Sequence, residues 1–121
     1  MRRRLILLFV PFFFVGIAMS GVFFAMKQTE ENREQVWLSK PAIRGKIVFF
    51  FRDDCGDCQK IFFQVFAHSL IHKDVLFVNL NQEKNRRYIH TFDLQSVPTL
   101  VRGSKRVVGT KQEQLTKILD H

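Results

Sequence analysis

Cysteine is almost missing from this chain of 121 residues: Cys55 and Cys58 are the only two. A framework of several disulfides is therefore excluded, and two thiols separated by two residues point to a small ring that can close and reopen, which is redox chemistry rather than scaffolding. Glycine is scarce as well, and Gly103 and Gly109 stand alone in turn contexts, so no glycine-rich phosphate loop is present. Neither a Ser/His/Asp triad nor a paired-carboxylate site can be assembled from the pattern. The chain also lacks internal repeats and low-complexity segments. What it has in excess is positive charge, a formal +8, but Arg2, Arg3 and Arg4 supply three of these and the rest are scattered. Arg86-Arg87 and Arg102 to Arg106 are local concentrations without the interleaved aromatic platform that single-strand binding needs, which argues against nucleic acid as a partner. An ordinary solvated surface, or one near anionic lipid or an acidic partner, accounts for the charge.

Charge is absent altogether from Leu5 to Met26, a 22-residue run broken only by Pro11, Gly16, Ser20 and Gly21. As a helix it would be roughly 33 Å long, close to the hydrocarbon thickness of a bilayer. Three arginines before the run and the mixed Lys27, Glu30, Glu31, Arg33 and Glu34 after it favour the N-terminus inside and the remainder outside. Ala18-Met19-Ser20 has the spacing of a signal-peptidase site, the competing reading. The apolar continuation Val22 to Met26 favours a retained anchor instead. The chain accordingly divides into a cytoplasmic N-terminus at 1–4, a transmembrane anchor at 5–26, a juxtamembrane linker or helix at 27–42, and one domain at 43–121.

Within the domain, Ile47 to Phe51 is a continuous apolar run, the pattern of a strand covered on both faces. Lys60 to His72 has helical spacing through Phe62, Val65, Phe66 and Ser69 or Leu70, and Val75 to Leu80 is a second buried strand. Asn81 to Phe92, with Tyr88, Ile89 and Phe92 on one side, reads as a short amphipathic helix. Val97 to Val101 is a third strand, Gly103-Ser104-Lys105 a turn, Arg106 to Val108 an edge strand, and Gln112 to Leu119 a closing helix. The order is strand, helix, strand, helix, strand, strand, helix. Trp37 and Tyr88 read as packing residues.

Cys55-Gly56-Asp57-Cys58 after the first core strand, together with Ser96-Val97-Pro98-Thr99 about 40 residues later, resembles the thioredoxin family. Phe77 to Asn81 and Val108-Gly109 are concordant, and the resemblance covers roughly Ile43 to Leu119. It implies an α/β thioredoxin-like fold, a central mixed β-sheet flanked by helices, here preceded by one transmembrane helix. It also implies that Pro98 is cis and faces the cysteines, and that Val97, Pro98 and Thr99 present backbone to an extended substrate segment. Cys55, at a helix N-terminus whose partial positive charge favours a thiolate, would be the nucleophile, and Cys58 the resolving thiol. No cofactor beyond the redox-active Cys55–Cys58 disulfide and no metal is implied. The expected partners are an exported protein or peptide carrying thiols or a disulfide, an unidentified redox partner, and the membrane. The setting this suggests is a bacterial cell membrane with the domain extracytoplasmic, in an accessory role for secreted peptides or surface proteins. The other function class is a non-catalytic interaction module of an envelope assembly, in which the two cysteines form a static disulfide.

Four positions depart from the family pattern. Asp54 stands where a tryptophan is usual, Gly56-Asp57 where Gly-Pro is usual, Phe49 where a buried acid assists the resolving thiol, and Asn79 where a lysine is usual. Asp53, Asp54 and Asp57 near Cys55 would oppose negative charge on its sulfur and favour a more reducing site; they would also cap the helix that begins there. Cys55-x2-Cys58-x9-His68-x3-His72 has a superficial zinc-finger look, but the spacing falls short and the surrounding phenylalanines demand a larger core.

Overall fold

The computed structural model describes residues 1–120. Its central feature follows from the apolar run Ile47–Phe51, which forms β1 with all five residues buried. Side chains alternate across a strand. Ile47, Phe49 and Phe51 therefore enter one core layer while Val48 and Phe50 enter the other. β1 pairs in parallel with β2 (Val75–Asn79), with Phe49 opposite Phe77, and antiparallel with β3 (Thr99–Arg102). β4 (Lys105–Val108) completes a four-stranded mixed sheet in the order β2-β1-β3-β4. This is the thioredoxin-like α/β arrangement expected from the sequence.

The first layer is covered by α3 (Gly56–His72), which buries Cys58, Ile61, Phe62, Val65 and Phe66, and by α5 (Gln112–Asp120), which buries Leu115, Ile118 and Leu119. Phe49, Phe51, Phe62 and Phe77 meet in stacked, tilted and edge-to-face pairs at centroid separations of 5.1 to 6.3 Å, contacts that add to simple area burial. α3 ends at Lys73, whose φ of 53° places it in the left-handed region and whose N–H donates to the Ser69 carbonyl at 2.9 Å. The second layer is thinner. The single helix expected over 81–92 is a 3-10 turn, Glu83–Arg86, followed by a short α4 (Arg87–Thr91), because Asn85 is drawn inward and fully buried.

The stretch that follows the apolar run differs most from a simple linker. α1 runs from Arg2 to Glu31 and is the one helix among the described residues long and apolar enough to cross a membrane; Leu5 to Phe24 are all exposed. Its last turns turn inward: Ala25 and Met26 pack on the first core layer, and Glu30 is buried in an ion pair with Lys27 at 2.7 Å. Residues 32–39 then cross the edge of the sheet without joining it, and Ser39 caps a single turn, α2 (Lys40–Ile43). Side chains some fifty positions away hold this crossing. Asn85 accepts from the Val36 N–H at 2.8 Å and donates to the carbonyls of Glu34 at 2.8 Å and Asn79 at 3.1 Å. The Tyr88 hydroxyl donates to the Val36 carbonyl and accepts from the Leu38 N–H, both at 2.8 Å. Tyr88 is thus a packing residue with a polar tip, and Arg87 lies 4.3 Å over the Trp37 ring.

Candidate active site

Where β1 ends, Arg52 to Asp54 turn the chain and Cys55 begins α3. Cys55 is itself the N-cap: its backbone is extended (φ −97°, ψ 115°), and its sulfur accepts the Cys58 N–H at 3.2 Å. The aspartates expected to cap the helix do not occupy that place, although Asp57 lies in the first turn. A sulfur that takes an orphan N–H at the positive end of a helix is positioned to carry negative charge. Cys55 is half-buried, whereas Cys58 is 1% exposed and lies in the phenylalanine layer. The two thiols are unlinked. Burial, followed by the hydrogen bond to Cys55, pushes the Cys58 thiol far above the ordinary cysteine range.

The second half of the site comes from the loop before β3. The Val97–Pro98 bond is cis, and the Cys55 thiol donates to the Val97 carbonyl at 3.9 Å, across 42 positions of sequence. The Pro98 carbonyl accepts the Gly109 N–H at 3.0 Å, but Pro98 has no N–H to offer a neighbouring strand, and β3 begins at Thr99 rather than at Val97. Thr99 is fully buried, its hydroxyl donating to the Ser96 carbonyl at 2.6 Å. Its hydroxyl therefore serves the loop, and of the three residues Val97 is the one hydrogen-bonded to the sulfur. Beside Val97 lies an open groove of about 560 Å³, with Leu80, Ile89 and Leu94 as apolar wall and Arg52 and Arg86 at its rim. Arg86-Arg87, noticed in the sequence only as local charge, is split between this groove and the Trp37 stack.

The three aspartates are not free charges. Asp53 is paired with Arg33 at 2.9 Å and hydrogen-bonded by Asn79 and Asn81; Asp54 is paired with Arg52 at 3.1 Å, and Asp57 with Lys60 at 2.8 Å. Each carboxylate near the sulfur thus has its own cation. Of these cations, Arg33 comes from the crossing segment. At Phe49 the ring meets Phe51, Phe62 and Phe77, so no acid occupies that point beneath the thiols. Gly56, the first residue of α3, needs no special backbone angle, and a Cβ there would meet no atom within 4 Å. His68 and His72 stack on each other at 4.2 Å, and His68 meets Asp74 at 3.0 Å. Ten residues of helix, about 15 Å, separate His68 from Cys58, so the four residues of the zinc-like pattern are not assembled.

A model of the thioredoxin family matches residues 25–121. The chain belongs to the thioredoxin family. The match begins in the stretch of α1 whose Ala25 and Met26 pack on the thioredoxin core. Among solved structures, thioredoxin f2 of Chlamydomonas reinhardtii is similar at 27% identity with a TM-score of 0.50, covering 61% of this chain and 74% of that one. No curated protein matches.

Proposed function

We propose that this thioredoxin-family chain is a thiol-disulfide oxidoreductase, anchored in a bacterial cell membrane by α1 with its domain outside the cytoplasm, and that it exchanges disulfides with exported proteins or peptides. The observation that carries the reading is the pairing of a half-exposed Cys55 sulfur, capped by the Cys58 N–H, with the Val97 carbonyl. A target segment extended along Val97 would bring its disulfide against Cys55, while its neighbouring residues fill the groove of Leu80, Ile89 and Leu94.

The exchange then runs in two steps. The Cys55 thiolate attacks one target sulfur, a Cys55–target disulfide forms, and the other target sulfur leaves as thiolate and takes a proton. Cys58 loses its proton and attacks the Cys55 sulfur, which forms the Cys55–Cys58 disulfide and releases the second target thiolate. The target gains two electrons and the protein loses two; a redox partner resets the site, and the reverse sequence donates a disulfide. Arg2, Arg3 and Arg4 before the apolar run support the orientation of the anchor.

The test is Cys58→Ser in the full chain. It should accumulate a mixed disulfide on Cys55 whose partner, identified by mass spectrometry, is an exported protein. Titration of the wild type against glutathione or dithiothreitol should give an equilibrium between roughly −120 and −270 mV. A disulfide that can be reduced only after unfolding would sink the catalytic reading and leave a static module.

A further inference from the structure

Of the cations at the active site, Arg33, Arg52 and Lys60 are each paired with an aspartate. Arg87 is engaged as well, donating to the Val36 carbonyl at 3.2 Å and lying over the Trp37 ring. Arg86 differs from all four. It is exposed at the rim of the groove beside Val97 and has no ion-pair partner among the described residues, Glu83 three positions earlier included. It is held in place all the same. Its Nε donates to the Leu80 carbonyl at 3.1 Å, and Leu80 is itself a wall residue of that groove. The bond uses one of five N–H donors and leaves the four on the terminal nitrogens. A guanidinium fixed in this way keeps a planar fork for a carboxylate at little further loss of freedom.

The other polar groups of the groove have partners of their own. Gln95 donates to the Asp93 carboxylate at 2.9 Å, and the Ser96 carbonyl accepts from the Thr99 hydroxyl at 2.6 Å. On the apolar wall Ile89 is 40% exposed, whereas Leu80 and Leu94 are buried. The groove therefore offers an occupant one uncovered apolar side chain and one unpaired cation. Val97 both accepts from the Cys55 thiol and lines the groove. An extended segment paired along Val97, with its own sulfur at Cys55, thus continues on one flank over Ser96, Gln95 and Leu94. A groove of about 560 Å³ is about 8 Å across, the length of two or three extended residues.

We propose that Arg86 selects targets whose reactive cysteine is flanked, within about three residues, by a carboxylate beside an apolar side chain, the carboxylate taking the Arg86 fork and the apolar group lying on Ile89. This rests on reading Cys55 as the exchanging thiol. The test uses the reduced full chain in neutral detergent and synthetic peptides whose single cysteine is a mixed disulfide with nitrothiobenzoate. The Cys55 thiolate attacks the peptide sulfur, a Cys55–peptide disulfide forms, and nitrothiobenzoate leaves as a coloured thiolate. Each rate is taken relative to that of free mercaptoethanol with the same peptide, which removes the peptide's intrinsic reactivity. Leucine and aspartate are placed within about three residues of the cysteine on its N-terminal flank in one peptide and on its C-terminal flank in another. On one of the two flanks the reaction should be about two- to fivefold faster than with the aspartate moved to the far end of the same peptide, at equal net charge. Arg86→Gln should remove that advantage and Arg86→Glu should invert it, which loss of the bond to Leu80 alone would not do. Exchanging the leucine for serine should cost about twofold or more, and no cost would overturn the role given to Ile89. Equal rates for near and distant aspartate on both flanks, or an advantage that survives Arg86→Glu, would overturn the selection and leave exchange at Cys55 standing. Release of nitrothiobenzoate no faster than with Cys55→Ser would overturn both.

Discussion

Release of a target from Cys55 should be the half of the exchange that responds to pH, because the thiol that must attack is the buried one. Cys58 is 1% exposed in a layer of phenylalanines, and burial is the first cause of its raised pKa. That burial remains once Cys55 is in a mixed disulfide. An ordinary cysteine near 8.5 is about 3% thiolate at pH 7, and every unit of elevation removes another factor of ten. The more basic thiolate recovers about threefold per unit in intrinsic nucleophilicity, which leaves a net slowing of about three- to fourfold per unit. At fixed structure the resolving rate should therefore climb about tenfold per pH unit from about pH 6 to about pH 9 without levelling off. Stopped-flow reaction of the reduced chain with Ellman's reagent resolves the steps: Cys55 releases the first nitrothiobenzoate, and attack by Cys58 releases the second. A second phase that levels off below about pH 8 would refute the reasoning, since it would require a base in reach of Cys58 where the structure places Phe49.

Two further outcomes follow from the same contacts. Asn85→Ala deletes the acceptor for the Val36 N–H and the donor to two carbonyls, and should cost about 2 to 4 kcal/mol in urea unfolding; an unchanged midpoint would mean that the crossing segment is not held by Asn85. The reduced chain should also lose stability in alkali. Cys58 has its pKa raised on folding, so its contribution is complete below the unfolded value of about 8.5 and is lost as pH rises beyond it, by at most about 1.4 kcal/mol per unit. Thermal melts at stepped pH should show this drop in the wild type and not in Cys58→Ala.

The parts of the fold that were legible in the sequence are those written in short-range pattern. Five consecutive apolar residues at 47–51 gave β1 to the residue, and the helical spacing of Phe62, Val65 and Phe66 gave the buried face of α3. Cys55 and Cys58 could be singled out by their spacing and Val97 by the resemblance to the thioredoxin family, and the structure brings the three within hydrogen-bond reach. What could not be read depends on partners distant in the chain. Nothing local marks Asn85 as the residue that pins 32–38, and without it the polar stretch after the apolar run looks like linker. The partners of the aspartates were hidden for the same reason: their sign is visible in the sequence, but the cation paired with Asp53 is Arg33, twenty positions away. The 3-10 turn at 83–86 was likewise hidden, because an amphipathic pattern does not reveal that one polar member will be turned inward.

Gly56 sits at the head of α3 with an ordinary backbone angle and vacant space around it, and Asp57 beside it is exposed. The two residues between the thiols are thus mechanically uncoupled from the phenylalanine core directly below them. Side chains can be exchanged there without repacking any layer, so the electron affinity of the loop is free to drift, under selection or in an engineer's hands, while the fold that carries it stays as it is.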